Sequence, residues 1–375
     1  MTKIALAEVA LDDKYKRSEG RVYMTGTQAL VRLPMLQRAQ DRQAGLNTAG
    51  YVTGYRGSPL GGIDLAMTQA SRFLTENNIL FQPGVNEELA ATALWGSQQT
   101  GLFGDGKYDG VFGMWYAKGP GVDRSGDALR HANLAGTAPN GGVLALAGDD
   151  HTCKSSTTAH QSDYALMDAN IPILYPATIQ EVLEYGLYGW AMSRFTGCWV
   201  GMKMVAESTD VAAPVTLDRL YRDLQLPQDL PLPPGGRHIK LPETPFAQAQ
   251  ALEQERILLE YRLPAVAAFA RLNPLDRIEI DGPKRRLGII SCGKSHLDLR
   301  QAMEDLGLDP RKAIDLGISV YKVAQTWPLE AASLRRFAEG LEEILVIEEK
   351  RSFIEMQLKQ ILYDLPADRR PLTMD

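Results

Sequence analysis

The chain has 375 residues, with 40 Lys and Arg against 46 Asp and Glu, which gives a formal net charge of −6. This length predicts about two or three domains, and an acidic chain without a run of basic residues is not expected to bind nucleic acid. The three cysteines, Cys153, Cys198 and Cys292, are too far apart for a zinc or iron–sulfur motif. Their odd number and scattered positions predict a reduced, cytoplasmic setting. No apolar run is long enough for a membrane-spanning helix, and residues 1–16 lack the apolar core of a signal peptide.

Helical and strand patterns alternate between residue 22 and about residue 215. Such alternation predicts a parallel sheet that is covered by helices on both faces. The predicted helices lie near 26–45, 63–76 and 87–102, and the predicted strands lie near 48–53, 110–115, 142–147, 172–174 and 199–204.

The second part of the chain begins with residues 225–245, which are rich in Pro and are predicted to form a linker. A helical pattern follows at 246–272, in which Pro264 is expected to break or kink the helix. A smaller α/β pattern comes next, and residues 369–375 show no terminating signal, so we expect the chain to be part of a longer protein. The predicted strands here are 285–293, 313–319 and 342–349, and the predicted helices are 297–308 and 329–341.

One motif in this part, Gly288–Ser295, fits the letters of a phosphate-binding P-loop. In a true P-loop a strand ends before the first glycine, and backbone N–H groups of the following loop bind phosphate. Here Ile289 and Ile290 are typical of the strand itself, so a strand–turn–helix is the favoured interpretation. A nucleotide hydrolase that uses Lys294 stays an alternative.

A possible metal motif is formed by Gly104-Asp105-Gly106 with Asn133 downstream, because Asp and Asn in a G-D-G…N pattern bind Mg²⁺ in some enzymes. The G-D-G follows a helical pattern rather than a buried strand, which favours a helix-capping turn. We therefore predict no metal site in this chain.

Three Gly-rich or polar loops follow predicted strands, at Gly54–Gly62, at 118–127 and at 148–156. Ligands gather at the carboxyl ends of strands in α/β folds, and the glycines of the first loop allow positive φ angles and close approach of a ligand. These loops are therefore candidate parts of one site. His151 and His160 could act as acid–base or metal-binding groups, but solvated loop histidines are the favoured interpretation.

A predicted helix begins at Asn86-Glu87-Glu88. Asn86 is a good N-cap, and acids in the first turn complement the helix dipole. Consecutive residues point about 100° apart on a helix, so only one of the two acids is expected to face inward. The helix is apolar nearly all round, which predicts that it is buried.

Taken in order, these segments resemble the indolepyruvate branch of the 2-oxoacid:ferredoxin oxidoreductases. The resemblance covers most of the chain and keeps the order of the motifs. The segments that carry it are 24–33, 54–59, 85–90, 118–123 and 147–156, followed by 287–295, 326–329 and 344–349.

The resemblance implies an α/β fold with three parts. Residues 20–215 would form a doubly wound domain that binds the pyrimidine end of thiamine diphosphate (a Pyr-type domain). Residues 216–283 would form a Pro-rich linker and helical segment, and residues 284–375 a domain like the C-terminal domain of transketolase.

The resemblance also implies site residues. Glu87 matches the catalytic glutamate that hydrogen-bonds N1′ of the cofactor's aminopyrimidine and favours its imino tautomer. Gly57, Ser58 and Pro59 match a cofactor-binding loop in which Arg56 replaces the usual Pro. The candidate substrate contacts are Arg56, Ser58 and Arg124.

The reaction implied is oxidative decarboxylation of indolepyruvate or a related aryl-2-oxo acid, with transfer of the acyl group to coenzyme A and of electrons to ferredoxin. Mg²⁺ and [4Fe–4S] clusters are expected on regions absent from this chain. We therefore expect the chain to be inactive alone and to work in a homo-oligomer with the domains or subunit that bind the diphosphate. A non-catalytic Pyr-like scaffold subunit is the other alternative, and no nucleic-acid or membrane partner is predicted.

Overall fold

The computed structural model describes residues 9–242 and 246–374. The predicted linker 225–245 and the N-terminal residues 1–16 therefore lie partly outside the described residues. The described strands form a seven-stranded sheet, a five-stranded sheet and a two-stranded ribbon. In chain order they are β1 (Arg21–Thr25), β2 (Ala49–Gly54), β3 (Ile79–Phe81), β4 (Val111–Lys118), β5 (Val143–Gly148), β6 (Ile173–Leu174), β7 (Trp199–Met204), β8 (Ala212–Thr216), β9 (Arg277–Ile280), β10 (Leu287–Cys292), β11 (Ile318–Val323), β12 (Gln325–Trp327), β13 (Glu343–Ile347) and β14 (Leu372–Met374).

None of the described helices is long and apolar enough to cross a bilayer. The helices predicted at 26–45, 63–76 and 87–102 are present, but the second is split at Ala70 and the third ends at Ser97. In chain order the helices are α1 (Asp13–Lys16), α2 (Gly26–Gln43), α3 (Ile63–Gln69), α4 (Ser71–Glu76), α5 (Glu87–Ser97), α6 (Gly119–Arg124), α7 (Gly126–Ala135), α8 (Asp163–Asp168), α9 (Ile179–Thr196), α10 (Ala206–Thr209), α11 (Ala247–Ile257), α12 (Leu263–Leu272), α13 (Gly293–Asp305), α14 (Pro310–Leu316), α15 (Ala331–Ala338) and α16 (Ile354–Leu362).

The seven-stranded sheet has the order β12-β6-β7-β5-β4-β2-β3, and only β12 is antiparallel to its neighbour. Side chains alternate across a strand, and those of β4 enter two separate cores. Met114 and Tyr116 belong to one apolar cluster, whereas Trp115 and Ala117 belong to another. Both faces of the sheet are therefore covered, and the predicted doubly wound α/β class with a second, smaller α/β unit is confirmed.

The five-stranded sheet has the order β14-β13-β10-β11-β9, in which only β9 is antiparallel. Its first strand, β9, lies inside the range 216–283 that was assigned to a linker and helical segment. Its edge strand β14 is formed by part of the segment 369–375, in which the sequence shows no terminating signal.

The P-loop-like motif belongs to this sheet. Residues Leu287–Cys292 form β10, which pairs in parallel with β11 on one side and β13 on the other. The backbone of these residues is therefore committed to two ladders and does not form a phosphate-binding loop. The predicted strand–turn–helix is confirmed, with α13 beginning at Gly293.

The strand predicted at 313–319 is wrong at its start, because residues Pro310–Leu316 are helical and the strand begins at Ile318. The Asp309 side chain caps α14 by accepting from the Lys312 N–H at 2.9 Å. Gly317 ends the helix in the left-handed region, at φ 85°. These are ordinary start and stop signals, which outweigh the local apolar pattern.

Pro264 does not break the helical segment. A π-helical turn, Leu258–Arg262, joins α11 to α12, and Pro264 lies in the first turn of α12. A π turn changes the backbone hydrogen-bond pattern just before the residue that has no N–H to donate. The helix therefore continues through the position where a kink was predicted.

Arg262 connects this segment to α7 by hydrogen bonds. Arg262, which is 2 % exposed, donates to the carbonyl oxygens of Asn133, Leu134 and Ala135 at 2.9–3.1 Å and to that of Arg237 at 2.6 Å. Three of these carbonyls belong to the last turn of α7, where a cation also complements the helix dipole.

Replacing Arg262 by Met is expected to lower the free energy of unfolding by about 3 kcal/mol, because buried carbonyls lose a charged donor. Arg262→Lys is expected to restore little, since an ammonium group lacks the planar fork that reaches several acceptors. Urea unfolding measures the free energy of unfolding of both variants. Arg256→Met is the control, because the partners of Arg256 among the described residues are the neighbouring Glu253, Glu260 and Tyr261. The unfolding midpoint of this variant should stay near that of the wild type.

The two α/β units are joined through β12. This strand follows β11 along the chain but pairs with β6 of the large sheet. Asp276 fixes the crossing by accepting from the N–H groups of Ala324 and Gln325 at 2.8 and 3.1 Å. Buried Lys322 of β11 forms an ion pair with Glu181 of α9, so a backbone ladder and paired charges connect the units.

Candidate active site

The candidate site lies at the carboxyl ends of the large sheet's parallel strands. Register brings these ends close together: Lys118 at the end of β4 is opposite Gly148 at the end of β5, and Gly54 at the end of β2 is opposite Tyr116, two residues before β4 ends. The loop after β2, helix α6 after β4 and the segment 149–162 after β5 therefore meet at one edge, as the sequence predicted.

Glu87 reaches the same edge at the start of α5. The Gly84 N–H donates to the carbonyl of Gly54 at 2.8 Å, which ties the approach to α5 to the end of β2. The Asn86 side chain caps the helix, and the Trp115 indole donates to the Glu87 carbonyl at 3.0 Å. The backbone of Glu87 is therefore fixed from three directions.

Glu87 faces inward and its neighbour does not. Glu87 is only 6 % exposed, whereas Glu88 is exposed. This confirms the expectation that only one of the two acids faces inward. The carboxylate packs against Gly121 of α6. Throughout 9–242 and 246–374, no group donates a hydrogen bond to this carboxylate.

Glu87 is only 6 % exposed and its carboxylate accepts no hydrogen bond within the described chain, so its oxygens keep their hydrogen-bonding capacity for a ligand. The aminopyrimidine of thiamine diphosphate offers N1′ as a matching partner. The residues present thus fit the pyrimidine end of this cofactor at Glu87.

The glycines of the loop after β2 are required for space rather than for conformation. Gly54 and Gly57 do not have positive φ angles, so that part of the prediction is wrong. A Cβ on Gly54 would lie 2.2 Å from the Tyr116 carbonyl oxygen, and a Cβ on Gly57 would lie 2.6 Å from the Lys118 side chain. The loop is therefore packed directly onto the end of β4.

Of the remaining predicted site residues, two contact neighbouring loops and two are exposed on the surface. Ser58 hydrogen-bonds through its hydroxyl to Ser155, and buried Pro59 packs near Gly148. The side chains of Arg56 and Arg124 are exposed at the same edge.

Lys118 is a residue that the sequence analysis did not single out. It ends β4, is half-buried, and its aliphatic stem covers Gly57. In the described part of the chain, no carboxylate lies within 4.0 Å of its ammonium group and no acceptor pairs with it. The signal was a lysine directly before Gly-Pro-Gly, but its lack of a partner becomes visible only in three dimensions.

His160 is not a solvated loop histidine, so that interpretation is wrong. Its Nε2 lies 2.7 Å from the Asp123 carboxylate and its Nδ1 3.3 Å from that of Asp149. The hydrogen bond with Asp149 raises the pKa of His160, against the opposing effect of burial, and Asp123 adds to the increase.

Asp149 is the buried centre of this group, at 1 % exposure. Burial by itself would raise its pKa, but the hydrogen bond with His160, the charge of Lys203 and the Ser162 donors together lower it to about 2. Lys203 is also buried and pairs with Asp163 at 2.7 Å. The segment after β5 is therefore held by paired charges.

Asn133 of the possible metal motif has a structural role. Its side chain is fully buried, and its amide N–H group donates to the carbonyls of Ala169 and Asn170. Its side-chain oxygen accepts from the backbone N–H of Trp199 at 2.9 Å. These contacts commit the amide to packing between α7 and the large sheet, and it does not join the Gly104-Asp105-Gly106 turn.

Helix α5 is buried on one face only. Ala90, Ala91 and Leu94 belong to the apolar cluster that contains Trp115. The outer face is exposed at Leu89, Thr92, Ala93 and Gly96. The prediction of burial all round the helix is therefore wrong, although the face that carries Glu87 is the inner one.

The chain is similar to known indolepyruvate oxidoreductase subunits over most of its length. Residues 277–374 match the Indolepyruvate oxidoreductase domain. The chain is 26% identical over 348 residues to the indolepyruvate oxidoreductase subunit IorA of Pyrococcus abyssi, which covers 92% of this chain and 48% of that protein. It is 24% identical over 352 residues to the IorA subunit of Methanothermobacter marburgensis, covering 93% and 50%. The resemblance to the indolepyruvate:ferredoxin oxidoreductase family is confirmed. The chain spans about half the length of the curated relatives it matches.

Solved structures agree on the fold. A 2-oxoglutarate:ferredoxin oxidoreductase from Magnetococcus marinus superposes with a TM-score of 0.66 at 14% identity, covering 95% of this chain and 62% of that chain. A split-gene transketolase, described as an inactive β4 tetramer, gives a TM-score of 0.54 at 12% identity, covering 94% and 88%. At these identities the likeness concerns the fold alone.

The part that matches the Indolepyruvate oxidoreductase domain contacts the candidate site. Glu349, two residues beyond β13, lies 3.4 Å from Nε2 of His151 and accepts from the Tyr175 hydroxyl at 2.8 Å. The guanidinium group of Arg351 lies 4.0 Å from the Tyr164 ring centroid. The segment after β5 is therefore in contact with both α/β units.

The raised pKa of His160 predicts a pH-dependent stability. A group whose folded pKa exceeds its unfolded value of about 6.5 stabilises the fold fully below that value, and this contribution is lost as pH rises through the folded pKa. His160→Gln should therefore lower the free energy of unfolding more at pH 6 than at pH 9. His131→Gln is the control, since His131 is exposed beside Asp127, and equal losses for His160→Gln at both pH values would contradict the assignment.

Proposed function

We propose that the chain is the pyrimidine-binding half of a 2-oxoacid:ferredoxin oxidoreductase that decarboxylates indolepyruvate or a related aryl-2-oxo acid. The observation that carries this proposal is Glu87, a largely buried acid at the carboxyl edge of a parallel sheet whose carboxylate has no hydrogen-bond donor among the described residues. The names of the relatives, indolepyruvate oxidoreductase subunits, support the same reaction class.

Within this proposal, Glu87 shares a proton with N1′ of the aminopyrimidine of thiamine diphosphate. Gly57, Ser58 and Pro59 form the neighbouring wall of the cofactor site. The chemistry that the cofactor supplies when bound is a carbon nucleophile that accepts the electrons left after CO₂ departs. Glu87 is only 6 % exposed, which limits competition by water for its carboxylate.

The substrate is an anion, so its carboxylate needs a cation near Glu87. Lys118 is the candidate that the geometry favours, since it is half-buried beside Gly57 and has no acidic partner in the described chain. Arg56 and Arg124 lie at the rim of the same edge, and Ser58 offers a hydroxyl.

We propose that other domains or another subunit carry the remaining parts of the reaction. Coenzyme A and ferredoxin are the proposed acyl and electron acceptors, and Mg²⁺ and [4Fe–4S] clusters are proposed to lie on those other domains or that subunit. We propose that the complete protein is a cytoplasmic homo-oligomer. Cys153, Cys198 and Cys292 are free thiols, which supports a reduced setting.

Replacing Glu87 by Gln in the complete enzyme is expected to lower kcat for the thiamine-dependent reaction by about 100-fold or more, because a proton relay is removed while the shape is kept. Glu88→Gln is the matched control on the exposed side of the same helix turn. Steady-state kinetics with indolepyruvate measures both. If Glu87→Gln keeps the wild-type kcat, Glu87 has no relay function and a scaffold subunit becomes the better explanation.

Replacing Lys118 by Met is expected to raise KM for the 2-oxo acid by roughly 10- to 100-fold, as for loss of one charged hydrogen bond, with a smaller change in kcat. Lys118→Arg should recover much of the affinity because it keeps the charge. Lys107→Met, on an exposed turn beside Tyr108, is the control. An unchanged KM for Lys118→Met would assign the substrate carboxylate to another group.

A further inference from the structure

We infer that Gly121 is a positioning residue for Glu87, and that the absence of a side chain at 121 keeps the carboxylate in its orientation. Gly121 is buried in α6, one turn after the end of β4. A Cβ at this position would lie 2.6 Å from Cγ of Glu87 and 2.7 Å from its Oε1. Real Cβ contacts are not this short, so one of the two residues would have to move. The inference rests on the function proposed for Glu87.

The backbone of Gly121 does not itself require glycine. Its φ angle is not in the left-handed region, and α6 is an ordinary right-handed turn. Alanine in such a turn is at least as favourable as glycine for the free energy of folding. The reason for glycine is therefore the space that the Glu87 side chain occupies.

Helix α6 is not free to retreat from Glu87. Its first residue, Gly119, packs against the His160 ring, which a Cβ would approach to 2.2 Å at Nδ1. The same ring pairs with Asp123 at the other end of α6. Val122, between them, is 1 % exposed.

The backbone of Glu87 is also fixed, by the Asn86 cap and by the Trp115 indole. The softest element of the contact is the end of the Glu87 side chain, which moves by rotation of its χ angles at small cost. A methyl group at 121 should therefore displace the carboxylate while the fold stays intact. This separates the positioning role from a general packing role.

The test compares Gly121→Ala with Gly126→Ala in the complete enzyme. Gly126 begins the next helix, and a Cβ there would meet nothing within 4 Å. Gly121→Ala is expected to lower kcat by about tenfold or more and to raise the Kd for thiamine diphosphate, measured by calorimetry on the cofactor-free protein, by about tenfold. Gly126→Ala should leave both values within about twofold of wild type, and KM for the 2-oxo acid should change little in either variant.

A double-mutant cycle links the effect to the carboxylate. In a Glu87→Ala background there is no carboxylate to displace, so adding Gly121→Ala should leave the Kd for thiamine diphosphate unchanged. Glu87→Asp shortens the side chain by one methylene and leaves room for a methyl group at 121. The loss of kcat caused by Glu87→Asp should therefore be smaller in the Gly121→Ala protein than in the wild type. Additive effects in both pairs would overturn the inference.

The outcomes separate the inference from the function it rests on. If Glu87→Gln leaves kcat unchanged, the proposed function fails. If Glu87→Gln lowers kcat but Gly121→Ala behaves like Gly126→Ala, only the positioning role fails. Should Gly121→Ala prevent folding, the Glu87→Ala/Gly121→Ala protein decides: a folded double variant supports the contact with Glu87, and an unfolded one overturns it.

Discussion

The parallel pairing of β2, β4, β5 and β7 in one register is the constraint on which the candidate site depends. Because Lys118 is opposite Gly148, and Gly148 is opposite Met204, β4, β5 and β7 end at the same level, and β2 ends two residues earlier, with Gly54 opposite Tyr116. The segments that follow therefore enter one small volume. Close approach is possible there only because Gly54, Gly57 and Gly121 have no side chains. Strand register and missing side chains together determine where Glu87 can lie.

Buried charges then determine the position of the segment after β5. Lys203 lies between Asp163 and Asp149, and Asp149 in turn lies beside His160. Removing one member of a buried ion pair costs about 3–5 kcal/mol, because the other charge is left without its partner. These pairs therefore restrict the segment after β5 to conformations that keep every charge paired. It presses the His160 ring onto Gly119, and α6 is thereby kept against Glu87. The charge group acts on the candidate site through packing.

Sequence patterns predicted the parts of the fold with a strong apolar period. The fold class, the central strands of the large sheet and the inward orientation of only one of the two acids at the start of α5 follow from patterns that need no partner to be recognised. The choice of Glu87 over Glu88 came from the family resemblance. Short edge strands such as β3 and β12 were missed, because two or three residues carry no period and pair only where another strand is available. The partners of His160 come from two separate segments, and no local signal connects Asp123 with Asp149. Glycines were recognised as important for positive φ angles and for close approach of a ligand, whereas Gly54 and Gly57 give space to the chain's own β4.

The P-loop-like turn shows how the smaller sheet supports the site. Gly293 begins α13 at φ 46°, and a Cβ there would lie 2.2 Å from the Tyr175 ring. The helix N-terminus that would bind an anion is therefore covered by Tyr175, the residue that follows β6. Burial, and then the charge of Glu349, raise the pKa of Tyr175. The Tyr175 hydroxyl therefore stays protonated and donates a hydrogen bond to Glu349. Glu349 also faces His151 in the segment after β5. The turn that resembles a nucleotide site is therefore part of the contact between the two units, and it helps to fix the segment that keeps α6 against Glu87.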